Sequence, residues 1–213
     1  KKALQIRDKI VKGELTFFEA AVQFSDDKSA QDQYNPQSKR WQYGNKGELG
    51  YFTVFDLIYP FETGAFSTPV GSISMPVRTG YGYHLIFVQD KAKAMNKISI
   101  KQIFIEDTLA RNNKMSDQTI AKIKIIEEQL NSGVTFETVA KEYSEDKATK
   151  EKGGELEPFA PNRRAGSFVQ ACININPGTY SLTPVASNLG WHFIKVVNIE
   201  YVETANESFA HIM

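Results

Sequence analysis

The chain has 213 residues, room for one large domain or for two of about 100 residues each. Its 41% hydrophobic content is that of a folded globular protein, and its 25 basic and 25 acidic side chains cancel, which argues against a nucleic-acid partner. No apolar run approaches the roughly 18 residues of a membrane span, no signal peptide is read, and the single cysteine, Cys172, allows neither an internal disulfide nor a cysteine-based zinc site.

The chain opens directly into the amphipathic KKALQIRDKI, so the expectation is that an upstream segment has been removed. Ala3, Ile6 and Ile10 have the spacing of one buried helical face, and Gly13 is the stop signal. LTFFEAAVQFSDDKSA (15–30) follows, then the polar stretch QDQYNPQSKRWQYGNK, a loop by composition. GELGYF (47–52) precedes PVRTGYGYHLIFV (76–88), whose end reads as a strand. Asp90 to Asn96 is the expected linker. After it ISIKQIFI (98–105) reads as a β-branched strand, and Ile123, Ile126, Leu130 and Gly133 repeat the opening helix and its stop.

The remainder repeats the first half. VTFETVAKEYSEDKAT (134–149) matches 15–30, GELEPF (154–159) matches 47–52, and PVASNLGWHFIKV (184–196) matches 76–88. Three blocks in one order exclude chance and make this a tandem repeat. The offset falls from 119 (Ser25 to Ser144) to 107 (Gly47 to Gly154), so the first copy carries 12 extra residues, all within its polar stretch. Each copy reads as an α+β unit. The expected boundaries are 1–94 and 96–200, with 201–213 as a tail or as a strand of the first unit. KATKEK (147–152) reads as balanced, solvated loop charge, and Cys172 in FVQACINI as a packed thiol. GYGYH and EKGGEL lack the spacing of nucleotide loops, and no serine triad or acid pair is seen.

The ordered blocks F-x-x-x-A, S-D/E-D, GEL, PV and G-aromatic-His resemble the parvulin, or PpiC-type, peptidyl-prolyl isomerases, over nearly the whole chain. Tandem copies resemble the SurA-like chaperones of the bacterial periplasm. The resemblance implies an α+β fold of two tandem units, each a four-stranded antiparallel sheet wrapped by helices. It also implies a proline pocket with two histidines on neighbouring strands. All three histidines stand at family positions: His84 and His192 in the last strand, and His211, in SFAHIM, in a segment like the family's first strand.

By this resemblance Asp27, Thr79, His84 and His211 form the catalytic set of the first copy, and Leu49, Phe52, Leu57 and Phe61 its proline pocket. Packed strand histidines and plain core residues remain the alternative reading. In the second copy Gln102 stands where the family carries histidine, and Arg164 where it carries an apolar pocket residue. Glu157 and Pro158 interrupt the G-x-F turn, whereas Asp146, Leu156, Phe159, Phe168, Ser187 and His192 survive. A guanidinium opposes burial of an apolar ring, so the second site is expected to be degenerate. The implied activity needs no metal or cofactor, and its partners are proline-containing unfolded or extended polypeptides in the periplasm or cell envelope. The alternatives are a non-catalytic chaperone or peptide-binding module on parvulin scaffolds, and a purely structural repeat. Because the first copy begins at its helix, Ser208 to Met213 is expected to supply its missing strand, pairing with residues 84–88. It would do so within one chain or by strand exchange between chains; the alternatives are the first strand of a third, truncated repeat and a disordered tail.

Overall fold

The computed structural model describes residues 1–202 and the backbone of Ala210–Ile212, apart from the Arg40 side chain. The chain divides into two compact units. One is Lys1–Ala94 together with the Ala210–Ile212 strand, and the other is Met95–Val202.

The first unit begins with α1 (Lys2–Val11) and α2 (Phe17–Phe24). Gly13, at φ 73°, ends the first helix in a conformation that other residues enter with strain. Thr16 caps α2 through a capping box, its hydroxyl accepting from the Glu19 amide while the Glu19 carboxylate accepts from the Thr16 amide. The 12-residue insertion falls in a segment that is a β-hairpin rather than the loop expected from its composition: β1 (Gln33–Asn35) pairs antiparallel with β2 (Arg40–Gln42). Two local forces outweigh the polar composition. The Asn35 side chain accepts from the amides of Gln37 and Ser38, fixing the turn, and the rings of Tyr34 and Trp41 pack across the strands at 5.5 Å.

Next come α3 (Tyr59–Ser67), β3 (Val77–Thr79) and β4 (Gly82–His84), the last two a tight antiparallel hairpin with Val77 opposite His84. The pairing continues irregularly beyond them: Ser74 donates to the Ile86 carbonyl and Gly71 to that of Val88. Phe52, Ala65, Ile86 and Val88 form the small core here. The short β5 (Lys91–Lys93) closes the unit.

The second unit is built around two long strands, β6 (Met95–Glu106) and β8 (Gly190–Tyr201), with α4 (Asp117–Asn131), α5 (Phe136–Tyr143), α6 (Gly166–Ile173) and the short β7 (Val185–Ala186) between them. The sheet order is β6-β8-β7, all antiparallel, with Gln102 opposite Ile194. The segment 154–159 lines the outer edge of β6 through Gln102 N–H to Gly154 O and Leu156 N–H to Ile100 O. A Cβ on Gly154 would stand 2.2 Å from the Gln102 carbonyl, so only glycine allows this approach. The four-stranded sheet expected of each unit is thus seen in part: three regular strands and one bridged segment here, and in the first unit six short described strands in three two-stranded ladders.

One core explains the difference. Ile103 and Ile105 of β6 lie between α4, α5 and β8, and together with Ile123, Ile126, Leu130, Phe136, Trp191 and Phe193 they are buried. Glu137 of α5 clamps both strands, taking Lys101 and Lys195 at 2.9 Å each. In the first unit no described strand lies between α1 and β4. The face of Ala3, Ile6 and Ile10, expected to be buried, is therefore only partly covered and lines an open cavity of about 1060 Å³.

The strand β9 (Ala210–Ile212) does not pair with residues 84–88 as expected. It forms an antiparallel ladder with β5, placing His211 opposite Ala92. Lys91–Lys93 offers an open backbone edge, and a short strand satisfies it. Ser208, Phe209 and Met213 lie outside the described residues, as do the side chains of Ala210–Ile212.

The two helices should respond differently to the same truncation. Ile126→Ala is expected to destabilise the second unit by about 2–5 kcal/mol, followed by the fluorescence of buried Trp191 in a denaturant titration. Ile6→Ala, losing a half-covered side chain, should destabilise the first unit by less than about 1 kcal/mol. Equal losses would contradict the packing described.

Candidate functional site

In the first unit the site lies where β4, α3 and the segment 49–52 meet. Thr79 ends β3 and His84 ends β4, so the tight hairpin turns both side chains towards each other. Thr79 Oγ1 and His84 Nε2 are hydrogen bonded at 2.7 Å. Thr79 Oγ1 also accepts from the Tyr81 amide, so the hydroxyl that meets Nε2 is itself anchored to the hairpin turn. Phe61 of α3 stands edge-on to the imidazole at 5.4 Å, and Phe52 packs against Phe61 at 6.2 Å.

Asp27, Leu49, Phe52, Phe61 and His84 all line the same cavity, with Phe17, Phe18, Phe24 and Tyr81 adding apolar wall. Leu49 is more than half exposed, whereas Phe52 is buried beneath it. Asp27 caps the short turn Lys28–Ala30, and its hydrogen bonds with Ser29 hold its carboxyl below the usual range. Leu57 is not part of that wall. It precedes α3, partly exposed, its amide donating to Glu62. His211 contributes a backbone position opposite Ala92, not opposite the strand that follows His84.

The second unit repeats this geometry closely. Ser187 Oγ meets His192 Nε2 at 2.8 Å, Phe168 is edge-on to His192 at 5.2 Å, and Phe159 lies 6.3 Å from Phe168. Leu156 is buried beside the same segment. Here the neighbouring strand is in place. Gln102 of β6 accepts from His192 Nδ1 at 3.0 Å and donates its amide to Asp146 at 2.8 Å. Gln102 therefore bridges the carboxylate and the imidazole, a role that its sequence position alone did not disclose. Phe104, two residues along the same face of β6, stacks on His192 at 4.8 Å and was also missed. Arg164 lies over the Phe159 ring at 5.2 Å while remaining exposed, so the guanidinium covers the aromatic floor without being buried.

Electrostatics follow from this burial. Desolvation pushes His192 down to about 4, helped by the Arg164 charge and opposed by Asp146. For Asp146, burial works upward, but hydrogen bonds from Thr149 and Gln102 outweigh it and hold the carboxyl below its usual value. The network is a neutral imidazole donating through an amide towards a carboxylate. Cys172 is fully buried, its thiol pushed up to about 12 by desolvation, which makes it a packing residue. Among the described residues no group of histidine, cysteine and carboxylate side chains is arranged to hold a metal.

The sequence pattern of the PPIC-type PPIASE domain matches residues 90–200 and, again, residues 1–90. The chain belongs to the PPIC-type, or parvulin, family. It is 31% identical over 160 residues to chaperone SurA of Yersinia pestis, covering 74% of this chain and 37% of that protein. It is 28% identical over 175 residues to chaperone SurA of Escherichia coli O6:H1, covering 79% and 41%. The chain thus spans about two fifths of the length of these curated relatives. Among solved structures it is similar to peptidylprolyl isomerase PrsA of Bacillus cereus, at 33% identity over 54% of this chain and 39% of that one, with a TM-score of 0.42.

The parvulin histidine of the second unit should leave a pH signature. It titrates near 4 when folded and near 6.5 when unfolded, so between those values the unfolded chain binds the extra proton. Its contribution, on the order of 3 kcal/mol, is full above about pH 6.5 and lost as pH falls to about 4. Glu137, where two lysines outweigh burial, and Asp107, held by backbone amides, sit at about 2, so their contributions begin to fall only below about pH 4.5. An NMR titration should show the His192 ring unchanged from pH 7 to about 5. A midpoint near 6.5 would refute the neutral network.

Proposed function

We propose that the chain is a peptidyl-prolyl cis/trans isomerase acting on extended or unfolded polypeptides of the cell envelope, with catalysis in the first unit. The observation that carries this reading is the set of His84, Phe61 and Phe52 on the wall of an open apolar cavity, with Thr79 hydrogen bonded to the histidine. Rotation about an X–Pro bond faces a barrier of about 18–20 kcal/mol because resonance keeps the amide planar. No covalent bond to the peptide has to form. A site accelerates rotation by gripping the ring, removing water from the charge-separated planar amide and favouring the twisted state.

Phe52, Phe61 and Leu49 supply the apolar floor for the proline ring. Thr79 engages Nε2 of His84, and to Nδ1 we assign the role of donor to the bound peptide. Among the described residues that nitrogen has no partner, whereas its counterpart in His192 is taken by Gln102. Asp27 adds a fixed negative charge on the same cavity wall. In the second unit the corresponding donor is occupied and Arg164 lies on the aromatic floor, which supports a peptide-binding or scaffolding role there rather than efficient turnover.

A protease-coupled assay on an X–Pro peptide tests this. His84→Ala should slow isomerisation at least about tenfold, the equivalent of one transition-state hydrogen bond of about 1.4 kcal/mol. His192→Ala should leave the rate within about twofold. Leu57→Arg, which copies Arg164, should place a guanidinium over Phe52 and abolish activity. If His192→Ala is the damaging change and His84→Ala is silent, the assignment of the units is reversed.

A further inference from the structure

The insertion that distinguishes the first copy grows out of the wall of its cleft. Ser29 and Ala30 at one root of the β1–β2 hairpin, and Asn45 and Gly47 at the other, all line the cavity. The two roots are tied together by Asn45 N–H to Ser29 O at 2.8 Å and Lys46 N–H to Ala30 O at 3.2 Å. The hairpin carries a cross-strand pair of large rings, Tyr34 and Trp41, that are 51% and 58% exposed. Stacked rings of this size on a fixed two-stranded support are a rigid amphipathic surface that grips apolar side chains at low entropic cost.

The second copy is an internal control. Its corresponding connection is the short charged turn Lys150–Lys152, without an aromatic residue. The contrast extends to other exposed aromatic residues. Phe55, Tyr59 and Tyr81, all strongly exposed, stand where the offsets of 107 and 108 residues place Asn162, Gly166 and Leu189. The copy with the open cleft has the aromatic hairpin and these exposed rings, and the copy whose floor is covered by Arg164 has neither.

We propose that the Tyr34–Trp41 hairpin is a second subsite of the first unit. Its occupant is an aromatic or large aliphatic side chain of the same extended polypeptide whose proline enters the cleft, so this rests on the function proposed above. Reach supports one continuous ligand. Tyr34 lies four residues beyond Ala30 on the cavity wall, at most about 14 Å of chain, which an extended peptide of about five residues spans. The subsite selects clients in which a bulky apolar residue follows or precedes proline by about four or five positions, and it disfavours charged residues there.

The chain reports on this itself, because its two tryptophans are exposed Trp41 and buried Trp191, 6% exposed, so iodide reaches the first alone. The full chain is titrated with eight-residue peptides holding one proline and, about five positions away, Phe, Ala or Glu. The expected result is that the Phe peptide shields Trp41 from iodide and binds about tenfold more tightly than the Ala and Glu peptides. Trp41→Thr and Tyr34→Thr, which keep a strand-forming residue, should each remove that preference, read by competition calorimetry, and leave the Ala peptide's affinity unchanged. Equal affinity for the three peptides, or an Ala peptide weakened as much as the Phe peptide by both variants, overturns the subsite. Isomerisation of Ala–Pro peptides with no shielding of Trp41 by any peptide overturns the subsite and leaves the cleft standing. Shielding that persists when proline is replaced by Ala, with no isomerisation of any peptide, overturns the cleft and leaves a hairpin-only binder.

Discussion

The ladder between β6 and β8 is the constraint from which the second unit takes its form. A strand buried in the middle of a sheet must hydrogen bond along both edges, because an unpaired amide or carbonyl costs about 1–3 kcal/mol once water is excluded. β8 meets this with β6 on one side and β7 and the residues leading to it on the other. The same ladder aims alternate residues of β6 in opposite directions. Ile103 and Ile105 go towards the helices and complete the core, and Gln102 and Phe104 go to His192 and complete the site. Packing and chemistry are therefore two faces of one strand. In the first unit no described strand takes that place, and both consequences appear together: a half-covered helix and a histidine nitrogen without a described partner.

The comparison of the two copies separates what holds a histidine from what uses it. A hydroxyl on the preceding strand or turn, Thr79 or Ser187, and an edge-on phenylalanine, Phe61 or Phe168, recur with distances matching to within a few tenths of an ångström. These contacts fix the orientation of the ring in both copies. What differs is the opposite nitrogen and the floor. In the second copy Gln102 and Asp146 absorb the Nδ1 proton in a buried chain of hydrogen bonds, where low dielectric strengthens each bond and keeps the imidazole neutral. Such a network is satisfied without a ligand. A site that has already paired its donor gains little from offering it to a peptide.

Much of this was legible in the sequence, and for physical reasons. A tandem repeat shows itself because both copies carry the same helical spacing, so Ile123, Ile126 and Leu130 mirror Ala3, Ile6 and Ile10 in position. The histidines stood out because so few exist and each sits in a family motif. Packing context was not legible. Ile6 and Ile126 have the same helical spacing, but their burial is decided by a strand elsewhere in the chain. The Gln33–Gln42 hairpin read as a loop because its residues are polar, although Asn35 before proline and the aromatic pair Tyr34 and Trp41 were a turn and a cross-strand contact in plain view. Leu57 and Arg164 share a spacing but do not act alike: the long guanidinium reaches over Phe159, whereas the shorter Leu57 stays off the cavity wall. The pairing of β9 with β5 followed from which edge was open, and motif matching does not weigh edges.

Under the proposed function, the divergence of the copies has a consequence for the handling of an extended polypeptide. Both units keep the aromatic floor and the held histidine, so both retain the means to recognise an apolar ring. Only the first adds exposed aromatic surface beyond the floor, and only the second lays a cation across it. Two recognition modules in one chain raise the effective concentration of a tethered client at the second module once the first has engaged, without any improvement in either contact. Under that arrangement the second module gains from releasing its segment readily. A neutral, internally satisfied histidine and a solvated guanidinium over the floor suit shallow, reversible contact, which is what the proposed division of labour asks of the second unit.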